Sequence, residues 1–223
     1  MRVAMMRIAV GMVLLAVFGA ACATRPVTPP DPLTATEHND LGVAYFARGE
    51  TGRAAAEFRR ALALEPNFPR ALANLGDALL AQGETAAAIE AYARARAASP
   101  ENPAIANNLA WALLQDDRRW QEAEPVIRAA LETNPEPRGY YLDTFGVLLL
   151  RKQEAEGALA AFRAALADPG LSAPTVRVLI FRHAAEALVR LGDSQGARRC
   201  TELAETAASG GPPAKVGGDE AVC

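Results

Sequence analysis

The chain contains only two histidines, His38 and His183, and three cysteines, Cys22, Cys200 and Cys223, and none of them falls in a familiar catalytic or metal-binding motif. A zinc protease needs H-E-x-x-H, which sends two imidazoles from one helix face to the metal, and no such spacing occurs. A phosphate loop needs G-x-x-x-x-G-K-[ST], whose backbone amides cradle the anion, and an esterase-type serine needs the tight G-x-S-x-G turn. Both are missing, as is any C-x-x-C pair. His38 and His183 therefore read as core or half-exposed helix residues. The turn Asp116-Asp117-Arg118-Arg119 reads as a solvated loop. Glu122 and Glu124 fall on the first turn of the helix that follows, where negative charge is stabilising. The expectation is no catalytic residue, no metal, no cofactor and no small-molecule substrate.

The elements that would carry a surface instead of a reaction are helical. Hydrophobic residues make up 51% of the 223 positions but aromatics only 6%, so alanine dominates the apolar share. Alanine is the best intrinsic helix former and a small packing residue, which favours close-packed helices. No alternating Val/Ile/Thr run of strand length is present. A net charge of −3 with both signs interspersed argues against nucleic acid, which needs a concentrated basic face.

Residues 1–23 read as an export signal. Arg2 and Arg7 make a basic start, Ile8 to Phe18 is apolar apart from Gly11, and small residues precede Cys22. The run is too short for a permanent membrane span. The box Gly19-Ala20-Ala21-Cys22 resembles a bacterial lipoprotein signal, although that family usually carries an aliphatic residue where Gly19 stands. The resemblance implies lipidation of Cys22 and a membrane attachment through the lipid. Ordinary cleavage after Ala23 is the alternative. Ala23 is not the aspartate that retains enterobacterial lipoproteins at the inner membrane, so the expected location is the periplasmic face of the outer membrane. Without the lipid the protein would be soluble in the periplasm. Residues 24–34, rich in Pro and Thr, suit an extended tether, and 209–223 reads as a disordered tail. Cys223 could reach Cys200 in an oxidising compartment; two unpaired thiols are the reading taken.

Between tether and tail the sequence repeats. Counting Ala35 as position 1, the first unit has Leu41, Gly42, Tyr45, Ala54, Phe58, Ala61 and Pro66. The second has Leu75, Gly76, Leu79, Ala88, Tyr92, Ala95 and Pro100, each 34 residues on. The third has Leu109, Ala110 and Leu113, then, after one extra residue, Ala123, Ile127, Ala130 and Pro135. The fourth has Phe145, Gly146, Leu149, Ala158, Phe162 and Ala165, and a weaker fifth has Leu188, Gly192, Ala197 and Ala204. The pattern resembles the tetratricopeptide repeat (TPR), W-x2-L-G-x2-Y, A-x3-F and a proline over 34 residues. The resemblance implies an all-α, right-handed α-solenoid of about five helix-turn-helix repeats, near 35–68, 69–102, 103–137, 139–172 and 178–208. Gly49, Gly83 and Gly192 should end first helices, and Pro103 and Pro174 should open them.

In that family function lies on the concave face, at positions 2, 5, 9, 12 and 13 of each first helix. Transferred residue by residue, the groove would hold Asn39, Val43 and Phe46; then Arg70, Asp77 and Leu80; then Asn107, Trp111 and Leu114. The fourth unit adds Tyr140, Asp143, Val147, Leu150 and Arg151, and the fifth adds Arg182, Glu186 and Arg190. Phe46, Leu80, Trp111, Leu114, Tyr140 and Leu150 would form an apolar strip suited to a partner helix or extended peptide. The places that clamp a chaperone-tail carboxylate hold Asn39, Val43, Asn74, Ala104 and Asn108, with no lysine or arginine, so that mode is not expected.

The layout resembles TPR lipoproteins of the bacterial envelope, the pilotins of type IV pilus secretins and the TPR lipoproteins of tight-adherence pilus loci. It implies a scaffold that holds a protein partner during pilus or secretin assembly. The alternative is an accessory subunit that recruits a cell-wall or polysaccharide enzyme complex.

Overall fold

Thr34 sets the start of the first helix. Its hydroxyl accepts from the Glu37 amide at 3.2 Å while the Glu37 carboxylate accepts from the Thr34 amide at 2.8 Å. This reciprocal cap satisfies donors that the first turn would otherwise leave open. The helix it begins, α1 (Ala35–Ala47), is followed by α2 (Thr51–Leu64), α3 (Pro69–Ala81), α4 (Thr85–Ala98) and α5 (Pro103–Leu114). After a 3-10 turn at Trp120–Glu122 come α6 (Ala123–Glu132), α7 (Gly139–Arg151), α8 (Ala155–Ala167), α9 (Pro174–Arg190) and α10 (Ser194–Ala208). The computed structural model describes residues 32–209, all of them helical or in the turns between helices. The export signal with Cys22, nearly all of the tether, and the tail from 210 lie outside the described residues.

These are five helical hairpins in series, an α-solenoid. Within each hairpin the two helices pack together, and each second helix packs on the first helix of the next hairpin. The first helices also touch one another in order, α1–α3–α5–α7–α9, and the second helices form no such series. First helices therefore line the inner, concave side.

One packing device recurs. Gly42, Gly76 and Gly146 each face an aromatic ring from the second helix of the same hairpin: Phe58, Tyr92 and Phe162. A Cβ at Gly42 would sit 2.5 Å from the Phe58 ring, and one at Gly76 would sit 2.6 Å from the Tyr92 ring. All three rings are buried. The third hairpin uses another solution, with Ala110 opposite the narrower Ile127, both fully buried.

Four of the five turns after the first helices use a left-handed residue. Gly49, Gly83 and Gly192 take φ of 76°, 78° and 80°, as their positions predict. The fourth hairpin puts Gln153 there, at φ 65°. A side chain in that region is strained by about 1–2 kcal/mol, partly offset by the lower unfolded-state entropy of a non-glycine. Gln153→Gly should therefore stabilise by about 0.5–1 kcal/mol in urea unfolding. No change would mean that the turn is not held as described.

The extra residue in the third hairpin is absorbed by the 3-10 turn, and α9 starts at Pro174, four residues ahead of the expected repeat boundary. Cys200, on α10, is fully buried and disulfide-bonded, which corrects the expectation of an unpaired thiol. His38 is buried as expected, its Nδ1 2.8 Å from the Glu57 carboxylate. Among the described residues no helix is long and apolar enough to cross a membrane.

Candidate partner-binding groove

Positions 46, 80, 114 and 150 are equivalent, each the last or next-to-last residue of its first helix, yet they differ in exposure. Phe46 is 36% exposed and Leu80 is half-buried, whereas Leu114 and Leu150 are 1% and 4% exposed. The expectation that Leu114 and Leu150 face a partner is corrected: both are core residues. Trp111 on α5 reaches across to His183 on α9, ring centroids 6.2 Å apart, and His183 in turn lies 5.6 Å from Phe162. The concave face is therefore filled over α5–α9 and open over α1–α5.

In the open part, Phe46, Asp77, Leu80 and Trp111 converge on one cavity of about 280 Å³, together with Tyr92 and Asn108. Four residues from three different hairpins are thus brought together as the groove positions predict. Trp111 is half-buried, flanked by Phe46 and Leu80 on one side as expected. Beyond the cavity its ring packs on His183, a neighbour that the groove positions do not include.

Tyr92 and Asn108 add polar groups that the groove positions did not include. The Tyr92 hydroxyl donates to Asp77 Oδ1 at 2.5 Å. Burial pushes the Asp77 carboxyl above its usual range, opposed by the Tyr92 hydrogen bond. Burial beside that carboxylate also pushes the Tyr92 phenol far up, so it stays a protonated donor. Tyr92 was legible only as a packing aromatic; its hydroxyl reaches the groove because Gly76 lets the ring lie flat against α3.

The other expected groove residues divide. Val43 and Arg70 are exposed. Asn107, Tyr140, Val147 and Arg151 are half-buried, and Arg151 donates to Asp117 at 2.8 Å. Asn39 is fully buried, accepting from Asn74 Nδ2 at 2.8 Å, so it joins α1 to α3 instead of facing outward. Asp143 is 9% exposed and sits 2.8 Å from His183 Nδ1, a contact internal to the fold. In the fifth hairpin Arg182, Glu186 and Arg190 are exposed, and Arg190 donates to Glu186 at 2.6 Å. Among the described residues no cluster of His, Cys, Asp or Glu could hold a metal ion.

The tetratricopeptide-repeat family model matches residues 39–103, 78–137 and 109–173, which together span more than half of the chain. The chain belongs to the tetratricopeptide-repeat family. Solved TPR structures superpose on it. PilF of Pseudomonas aeruginosa is 24% identical, with 82% of this chain and 79% of that one covered and a TM-score of 0.64. TTC0263 of Thermus thermophilus is 25% identical, with 78% and 92% covered and a TM-score of 0.64. MamA of Desulfovibrio magneticus RS-1 is 17% identical, with 79% and 96% covered and a TM-score of 0.61. No curated protein sequence matches significantly. As a TPR protein the chain is a protein-interaction scaffold, and its open groove leaves Phe46, Leu80 and Trp111 partly exposed around one cavity.

Proposed function

We propose that this TPR protein is a scaffold of the bacterial cell envelope, tethered to the outer membrane through lipidated Cys22 and holding a protein partner in the groove over α1–α5. The observation that carries the reading is the cavity of about 280 Å³ where Phe46, Leu80 and Trp111 meet beside Asp77. An aromatic-walled recess with a few polar groups is the usual anchor point of a protein interface. The lipoprotein-like box before Cys22 and the similarity to PilF favour assembly of a pilus or secretin as the process served. Recruitment of a cell-wall or polysaccharide enzyme complex is the second reading, since the same groove would serve it.

The anchor is tested by metabolic labelling. Labelled palmitate should enter the protein, and Cys22→Ser should abolish both labelling and detergent partitioning. Unchanged partitioning of the serine variant would leave simple secretion. The process is tested in a strain lacking the protein. Loss of heat-resistant secretin multimers supports the first reading, whereas intact multimers with defective glycan synthesis support the second.

A further inference from the structure

We infer that the cavity between α1, α3 and α5 receives the cationic end of a lysine or arginine side chain of the partner. The inference deepens the groove reading and rests on it.

Asp77 has one hydrogen bond to its carboxylate, from Tyr92, and among the described residues no lysine, arginine or histidine lies within ion-pair range of it. The other acids on the inner helices of the later hairpins are paired, Asp143 with His183 and Glu186 with Arg190. Asp77 is also half-buried, so its charge is poorly hydrated and lacks a counterion. A group in that state gains most from a cation supplied by a partner. A carboxylate would be repelled, and an apolar side chain would bury Asp77 further without compensation.

The walls fit the same occupant. Phe46, Leu80 and Trp111 form an apolar and aromatic lining, which suits the methylene stem of a long basic side chain. Trp111 offers the best ring face for a cation, and Asn108 adds an amide oxygen as a further acceptor. No basic side chain lines the cavity. At about 280 Å³ it is smaller than ordinary small-molecule pockets and of a size for one side chain.

The test uses the full chain and two neutral-backbone probes, N-acetyl-arginine amide and N-acetyl-citrulline amide. They have nearly the same shape, but citrulline has no charge. The Trp111 indole signal is followed by NMR, assigned with Trp111→Phe. Arginine amide should shift it saturably, and citrulline amide should bind at least about tenfold more weakly, as expected for a charge-assisted contact beside an aromatic ring. Asp77→Asn keeps an oxygen for Tyr92 to donate to, and it should bring arginine amide down to the citrulline level. Equal binding of both probes, no shift with either, or full arginine binding by Asp77→Asn would each overturn the inference. If Asp77→Asn does not fold, the two-probe comparison on the unaltered protein still decides. Should the probes fail while a crosslinker at position 46 still traps a partner, the cationic anchor falls and the groove stands.

Discussion

Trp111→Ala should weaken partner binding by about thirtyfold or more, because truncating a central interface aromatic typically removes about 2 kcal/mol or more. Trp111 is the residue on which the cavity closes: Phe46 and Leu80 meet it from two earlier hairpins and His183 touches it from a later one. Its contact with His183 means that some stability should also be lost, about 1 kcal/mol for an aromatic pair. Phe46→Ala separates the two effects. Phe46 is on the cavity wall and 36% exposed, so binding should fall while thermal unfolding stays within a degree or two of the parent. Leu109→Ala is the opposite control. Leu109 is a core residue, and its truncation should lower stability by about 2–5 kcal/mol. Chemical denaturation and an affinity measurement on the same three variants check all of this. Normal binding by both Trp111→Ala and Phe46→Ala would move the interface to another face.

The largest stability effect should come from the aromatic under Gly146. Phe162 is fully buried, packs against that glycine and touches His183. Phe162→Ala should destabilise by about 3–5 kcal/mol, as other buried phenylalanines do. Gly146→Ala should also destabilise, by about 1–3 kcal/mol, because its Cβ would enter the Phe162 ring. The two sites should not be additive. The third hairpin already combines Ala110 with Ile127, so the double variant Gly146→Ala with Phe162→Ile should be more stable than the sum of the two single changes. Urea unfolding of the parent, Gly146→Ala, Phe162→Ile and the double variant closes the cycle. Strict additivity would show that the glycine and the ring do not share one space.

Much of this fold could be read from residue spacing, because each repeat buries the same positions against its neighbours. Gly42, Gly76 and Gly146 fall opposite Phe58, Tyr92 and Phe162, and the left-handed glycines fall at the turn ends. The groove was legible only in part. A family position says which way a side chain leaves its own helix, not how closely the next helix approaches. Leu80 and Leu114 are equivalent in sequence, yet one lines a cavity and the other is core, because the concave face closes after α5. The closing contact depends on His183, which lies on a helix that begins ahead of the expected repeat and so sat outside a dependable register. Asn39 and Asp143 were misplaced for a related reason. Each is a polar residue with a partner on another first helix, Asn74 and His183, 35 and 40 residues away. A single repeat gives no sign of such pairs.

A protein partner seated over α1–α5 is within reach of site-specific photo-crosslinking. A photoreactive amino acid is placed at Phe46, in the cavity, and separately at Leu64, which is 54% exposed on α2. Cells expressing either full-length variant are irradiated, and adducts are resolved on denaturing gels. A discrete adduct should form from position 46 and disappear with Trp111→Ala, and none should form from position 64. An adduct from position 64 alone, or one from position 46 that survives Trp111→Ala unchanged, would contradict it.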